Sequence, residues 1–395
     1  MIKVRIFLFL LTVFVVGTVG IFVSYYARGY RLDFKTFRFQ PNGILVLKSE
    51  PDGASVYVNR ELRTATNTTL SLSPGVYDID IKKDGYFSWY KRLVIEKEIV
   101  TQANVSLFKN VPSLSPVTFS GAENPIVSDD GTRIAFQVPF NSDTAQDKAG
   151  LWTIDTFNLP LGFLNDPKRI TDGDLSGSTF VFSPDGRQIL LTTSNGIFLL
   201  DSGSFTPQAQ WVNVASRKST IITQWQTEKK VKDESLTRAL PAELTDILTR
   251  KSSAFVFSPD EEMILYTASA AGTLPENLVK PLPGASTQTQ ERNVQTGHTY
   301  VYDIKEDRNF LISDMPVNSQ PASALRWMPS SKHLLFAQTG QVAIMDYDGT
   351  NRQVVYSGAY NAPFAFPYSN TTKLLILTNL GGTTSSANLY SLTVK

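Results

Sequence analysis

The chain has 395 residues, 42% hydrophobic and 18% charged, with 24 Gly, 21 Pro, His298 and His333 as its two His, and no Cys. At roughly 100–200 residues per domain this accommodates two or three domains, and 37 basic against 36 acidic side chains leave no global field to draw nucleic acid or an acidic substrate. The missing Cys exclude disulfides, thiolate zinc sites, iron–sulfur clusters and Cys nucleophiles, and the two His leave little from which to build a three-His metal site or a Ser/His/Asp hydrolase.

Lys3 and Arg5 precede a run, residues 6–26, without a charge. At about 1.5 Å per residue that run reaches roughly the 30 Å of a bilayer's hydrocarbon. Gly17 and Gly20 are tolerated in lipid, and Tyr25 and Tyr26 suit its aqueous interface. The run exceeds the usual signal-peptide core, and no A-x-A-like site precedes Arg28, so an uncleaved transmembrane anchor is expected over residues 1–28. A juxtamembrane linker follows over residues 29–40. Lys3 and Arg5 on one side nearly balance Arg28, Arg31, Lys35 and Arg38, offset by Asp33, on the other. The positive-inside count therefore does not orient the anchor.

From residue 41 to 108 the pattern changes to short β runs. Residues 44–49 form one, stopped by Glu50-Pro51-Asp52-Gly53; residues 54–58 alternate small or polar with apolar side chains. After the turn Ser73-Pro74-Gly75, residues Tyr77, Ile79 and Ile81 share one face, and Lys83-Asp84-Gly85 turns the chain again. Residues 93–95 and 105–107 complete a small antiparallel sandwich. These residues resemble the PEGA family, a surface-associated β module: Pro51-Asp52-Gly53-Ala54 stands for its name-giving motif. Ser49, Val56-Tyr57-Val58, Pro74-Gly75-Val76-Tyr77 and Gly85-Tyr86 match the framework. Asn59-Arg60 and Asn67-Thr68-Thr69 depart from it in the loops. The resemblance implies a sandwich on the envelope side and no reaction. The cluster Tyr86, Phe87, Trp89 and Tyr90 reads first as core for so small a domain and second as a polysaccharide contact.

Residues 111–395 repeat a unit of short strands. Its clearest copy is Ser178-Thr179-Phe180-Val181-Phe182 followed by the turn Ser183-Pro184-Asp185-Gly186, a strand over 188–193, the turn Asn195-Gly196, and strands over 197–201 and 210–214. Other copies begin at residues 126, 254, 324 and 364. Pro fixes φ, Asp bonds back to the backbone and Gly supplies positive φ. Four antiparallel strands per unit describe β-propeller blades, and the Ser-Pro-Asp-Gly turns and residues 345–351 resemble the TolB-type, WD40-like repeat. The fold is thus expected to be mainly β: a transmembrane helix, a PEGA-like sandwich, and a propeller of about five blades, or six if an insertion hides one. The last copy is one strand short, and residues 115–119 are expected to complete it and close the ring. Two insertions interrupt the rhythm. Residues 215–252 contain a charged stretch over residues 227–240 that reads as helical, then Pro241 at the first turn of a short amphipathic helix with Leu240, Leu244, Ile247 and Leu248 on one side, and residues 270–297 read as a long surface loop.

No catalytic, cofactor-binding or metal residue is assigned, no cofactor is expected, and the ligand-binding residues are unknown at this stage. Asp346, Asp348 and Gly349 faintly suggest a calcium loop but lack the spaced oxygens and terminal Glu of one. Asp129, Asp130 and Asp185 recur at turns, which argues for a structural cause. His298 and His333 each stand alone and read as structural. The basic run Lys229-Lys230-Val231-Lys232 is offset by Glu228, Asp233 and Glu234, so a solvated helix face is preferred to a nucleic-acid patch. The expected function is non-enzymatic: a single-pass cell-envelope protein, held in the membrane through residues 6–26 with its C-terminal domains extracytoplasmic, binding an envelope protein or a wall or surface polysaccharide. The alternative is a propeller-based hydrolase or lyase, or an enzyme subunit, with a carboxylate-only site.

Overall fold

The computed structural model describes residues 2–27, 30–33, 38–140, 148–157, 166–280, 282–315, 323–380, 382 and 386–395. The flanking charges Arg28 and Lys35 lie outside the described residues. The chain divides into two compact units: residues 1–107 with 281–289, and residues 108–280 with 290–395.

In the first unit, helix α1 (Ile2–Ala27) contains the stretch Val4–Ala27, long and apolar enough to cross a membrane. Its apolar side chains are exposed all round, as suits a helix solvated by lipid. Thr12 and Thr18 turn their hydroxyls back onto the carbonyls of Leu8 and Phe14, which removes two polar groups from an apolar environment.

The sandwich has one sheet ordered Thr68–Leu72, Gly43–Glu50, Val100–Ser106 and a second ordered Glu61–Ala65, Ser55–Val58, Gly75–Lys82, Trp89–Ile95. Period-two alternation sends Leu45, Leu47, Val56, Val58, Ile79 and Ile81 into one core between the sheets. Asn59 and Arg60, both at positive φ, make the two-residue turn between the first two strands of the second sheet. The expectation of a wholly antiparallel sandwich is corrected at one place. Gly43–Glu50 pairs in parallel with Val100–Ser106, because the chain crosses to the second sheet and back between them. Residues 282–289, far along the chain, also belong here. Thr287 Oγ1 accepts from Val94 N (3.4 Å) and faces Arg92 O (3.3 Å), to which Gln288 Nε2 donates (2.8 Å). They cover the free side of Trp89–Ile95, the edge strand of its sheet.

The second unit is a β-propeller of five sheets. Blade one is Glu123–Val127, Arg133–Val138, Gly150–Asp155, Lys168–Asp172; blade two is Thr179–Phe182, Gln188–Thr193, Gly196–Asp201. Blade three is Ser252–Phe257, Met263–Ala268, Thr299–Asp303, Arg308–Ser313, and blade four Ala324–Trp327, His333–Gln338, Gln341–Asp346, Gln353–Ser357. Blade five has Ala365–Tyr368, Lys373–Thr378 and Asn388–Thr393, and its outer strand is Ser113–Pro116, from the other end of the unit. The closing strand lies two residues earlier than residues 115–119. Val117 and Thr118 both donate to Leu389 O, which breaks the ladder there. In blade two the expected strand over 210–214 is reduced to one bridge, Phe198 to Asn213, because residues 208–210 form a 3₁₀ turn and Trp211 Nε1 donates to Thr171 Oγ1 in blade one.

The helical insertion is α2 (Lys218–Thr237) and α3 (Ala242–Arg250). Apolar clusters join blade one to blade two, blade three to blade four, and blade five to blade one; Arg326 of blade four reaches Pro363, just ahead of blade five. Blade two instead buries Leu190 against Val214 and Ile221 of α2, and blade three buries Ile264 and Tyr266 against Leu244 and Leu248 of α3. Two helices therefore stand on the blade faces that a sixth sheet would cover, which is why the repeat skips a beat between residues 214 and 252.

Candidate functional site

The repeated turns account for their carboxylates locally. Ser128, Ser183 and Ser258 each donate from Oγ to the Asp two residues on, Asp130, Asp185 and Asp260, at 2.6 Å. Each serine Oγ then accepts the N–H that starts the next strand, at 2.9–3.0 Å. Ser183 holds the Asp185 carboxyl below the usual carboxylate range.

Asp346 and Asp348 close a hairpin end in the same way. Asp348 Oδ1 accepts from the Thr350 N–H (3.1 Å) and hydroxyl (2.6 Å), Asp346 Oδ2 accepts from Asn351 Nδ2 (3.0 Å), and Gly349 sits at φ +79°. Among the described residues no group of three or more His, Asp or Glu is placed to hold a metal ion. His333 is buried between Ser330 Oγ at 3.1 Å, Asp346 Oδ1 at 3.5 Å and the edge of the Phe108 ring. His298 stacks on Tyr300, and its buried Nδ1 has no hydrogen-bond partner among the described residues. The two histidines are not brought together.

The aromatic cluster of the sandwich is divided by the start of its strand. Trp89 enters the core with Tyr86 packed beside it, whereas Tyr90 stays 48% exposed. The Tyr90 hydroxyl donates to Asp78 Oδ1 (2.9 Å), and Arg92 holds the same carboxylate through two bonds of 2.7 and 3.2 Å. Arg92 and then Tyr90 keep the Asp78 carboxyl below its ordinary range. Trp89→Ala is accordingly expected to cost about 3–5 kcal/mol of unfolding free energy, and Tyr90→Ala under about 1 kcal/mol. Denaturant unfolding of the two variants checks this, and equal losses would contradict the division.

Two further arrangements left no signal in the linear sequence. One is a buried network at the base of the second insertion. Arg292 Nη1 donates to Asp307 Oδ1 (3.0 Å), the Tyr302 hydroxyl to the same oxygen (2.5 Å) and the Leu278 N–H to Oδ2 (2.9 Å). Tyr266 donates to Asn309 Oδ1 (2.9 Å), whose Nδ2 reaches Glu291 O (2.6 Å). Burial pushes the Tyr266 and Tyr302 hydroxyls up from their usual range.

The other is a set of equivalent positions. In each blade the residue of the first strand that faces the third residue of the second strand is Ile126, Val181, Val256, Arg326 and Phe366 in turn, and Ile126 and Phe366 pack between neighbouring blades. Four are apolar, and Val181 and Val256 remain 48% and 55% exposed. The fifth is a cation. Arg326 lies with its guanidinium carbon 4.8 Å from the centre of the Phe366 ring, and Nη1 makes one long bond, 3.4 Å, to Pro363 O. Among the described residues no carboxylate stands within ion-pair distance of it. Burial pulls its pKa down to about 10, so it keeps its charge at neutral pH. Burial likewise pushes the neighbouring Tyr360 hydroxyl up to about 12.

Comparison with known proteins adds the following. The family model described as PEGA domain matches residues 42–110. No curated protein matches the sequence. Among solved structures the chain is similar to a putative TolB from Agrobacterium tumefaciens, at 14% identity over 69% of this chain and 78% of that one, with a TM-score of 0.23. It is similar to TolB from Acinetobacter baumannii at 13% identity over 81% of this chain and 60% of that one, TM-score 0.20. An acylaminoacyl peptidase from Pyrococcus horikoshii is similar at 12% identity over 71% of this chain and 39% of that one, TM-score 0.22. The five-blade fold stands on its strand order and not on these likenesses.

Proposed function

We propose that this is a non-enzymatic, single-pass membrane protein of the cell envelope whose sandwich and propeller bind a protein partner or a wall polymer outside the cytoplasm. The observation that carries the reading is an apolar helix, Val4–Ala27, leading into a PEGA module and a ring of five sheets closed by its own ends. A ring of sheets that leaves only short edges is a rigid platform whose loops are available for recognition. The engagement of Asp130, Asp185 and Asp260 by their own serines favours binding over a carboxylate-only hydrolase or lyase site.

Protease added to intact cells is expected to remove the propeller from the membrane fraction, read by an antibody to its C-terminus. Full protection in intact cells, with digestion only after lysis, would overturn the extracytoplasmic placement. Crosslinking in membranes followed by mass spectrometry is expected to recover an envelope protein or wall fragments attached to the sandwich or propeller.

A further inference from the structure

We infer that one end of the propeller, where loops of blades four, five and one meet, is an interface that docks on the same surface of a second copy of this chain. This goes beyond the binding role proposed above and does not rest on it. In antiparallel blades successive connections alternate between the two ends of the ring. The turns from first to second strand, with Asp129, Asp130, Asp185, Asp260 and Lys332, share one end. The second-to-third connections, and those leading into the next blade, share the other. There residues 117–122, 139–140, 339–340, 358–364, 379–380 and 386–387 contain no Asp, Glu, Lys or Arg, in a chain that is 18% charged. Charges resume along the chain at Glu123 and Asp143, and Arg326, which reaches Pro363 O, packs over the Phe366 ring.

Hydrogen bonds knit these segments into one surface. The Tyr360 hydroxyl donates to Gln338 O (2.8 Å), the Gly358 N–H to Gly340 O (3.0 Å), the Thr378 hydroxyl to Ala359 O (2.8 Å) and the Ala122 N–H to Ala387 O (2.7 Å). At Gly121, φ +87°, a Cβ would stand 3.2 Å from Ser386 Cβ and 3.3 Å from Pro139 Cδ, so three loops meet there. Phe119, Phe140 and Leu380 protrude, 79%, 49% and 56% exposed. Leu380 also sits at φ +54°, which a bulky side chain adopts only at a cost. An exposed leucine on a strained backbone works against folding and points to a use in binding. Uncharged residues around aromatic anchors have the composition of an interface core, and they are about as numerous as the roughly 20–30 on one side of a standard interface. Without Lys or Arg these residues offer nothing to an anionic lipid headgroup. A second copy meets them with no like-charge repulsion, and a two-fold contact makes the patch its own complement.

The chain has no Cys, so single-Cys variants report contacts without background. Membranes holding the full chain with Phe119→Cys, Phe140→Cys or Leu380→Cys are treated with a short bismaleimide. The control is Arg187→Cys, at the other end of the ring, where the side chain is 85% exposed. At least one of the three is expected to give a band at twice the chain's mass, and the control none. Light scattering of the wild-type chain in detergent is expected to show a dimer that does not weaken as NaCl rises from about 0.05 to about 0.5 M, since no charge pair holds it. Phe119→Glu, which sets like charges against each other, is expected to weaken the dimer tenfold or more with an unchanged melting temperature. A monomeric wild type, a dimer that salt dissociates, a dimer undiminished in Phe119→Glu, or equal crosslinking at Arg187→Cys would each overturn the interface. So would bands of another mass in place of the dimer, which would give the face to a different protein. Labelling of the three cysteines by a lipid-soluble maleimide and not by a water-soluble one would give it to the bilayer, and would overturn the interface too. The wild-type measurement needs no variant, so a misfolded Phe119→Glu leaves the test intact.

Discussion

Truncation after Ala387 is expected to abolish the cooperative unfolding transition of the propeller. The strand removed, Asn388–Thr393, is central in blade five, between Ser113–Pro116 and Lys373–Thr378. With it go the buried side chains of Leu389, Leu392 and Val394, while Leu375 and Leu377 lose their cover. Each large-to-small loss of this kind costs about 2–5 kcal/mol, and a domain's whole stability is about 5–15 kcal/mol. Replacing residues 113–116 by a flexible Gly-Ser linker is expected to do much less, since that strand is mostly exposed and its loss leaves the central strand paired on its other side. Calorimetry of the full chain in detergent compares the two. A truncated protein that still melts at the wild-type temperature would show that the ring does not depend on this closure.

Asp307→Ala is expected to destabilise the propeller by about 3–5 kcal/mol, the cost of leaving a buried cation unpaired. Asp307 is 3% exposed at its side chain and answers to three donors, Arg292, Tyr302 and the Leu278 N–H. Without it Arg292 keeps its charge in a site that is 14% exposed. At about 2–4 °C per kcal/mol for a unit of this size, the melting temperature should fall by about 6–20 °C. The double variant Asp307→Ala with Arg292→Met removes the stranded charge and should recover part of the loss. If the double variant is no better than the single one, the penalty comes from Tyr302 and Leu278 rather than from the unpaired guanidinium.

Local chemistry made much of this architecture readable. Ser183-Pro184-Asp185-Gly186 announces its turn because every bond that closes it lies within six residues. Pro241 and the spacing of Leu244, Ile247 and Leu248 announce α3 in the same manner. Helix α2 was legible only from residue 227, because its first turns carry Thr220, Ile221, Ile222 and Thr223, β-branched residues that blur a helical period, and it begins at Lys218. What depends on distant pairing was silent. Arg292 and Asp307 meet across 15 residues of chain, and nothing in either neighbourhood marks it as charged and buried. Arg326 is an ordinary strand residue until the registers of five sheets are laid side by side, and only then is it the one cation among apolar equivalents.

Residues 282–289 complete the sandwich from far downstream of its last strand, bonding to Arg92 and Val94. On the ribosome, about 170 residues must be made between Leu107 and that segment. At about 5–20 residues per second the edge Trp89–Ile95 waits roughly 10–35 s for its cover. During that interval the nascent chain carries an open strand beside a growing set of unpaired blades, the situation in which strand-swapped misassembly competes with folding. Synthesis rate, and any factor that shields that strand meanwhile, should therefore govern the yield of native protein more than its final stability does.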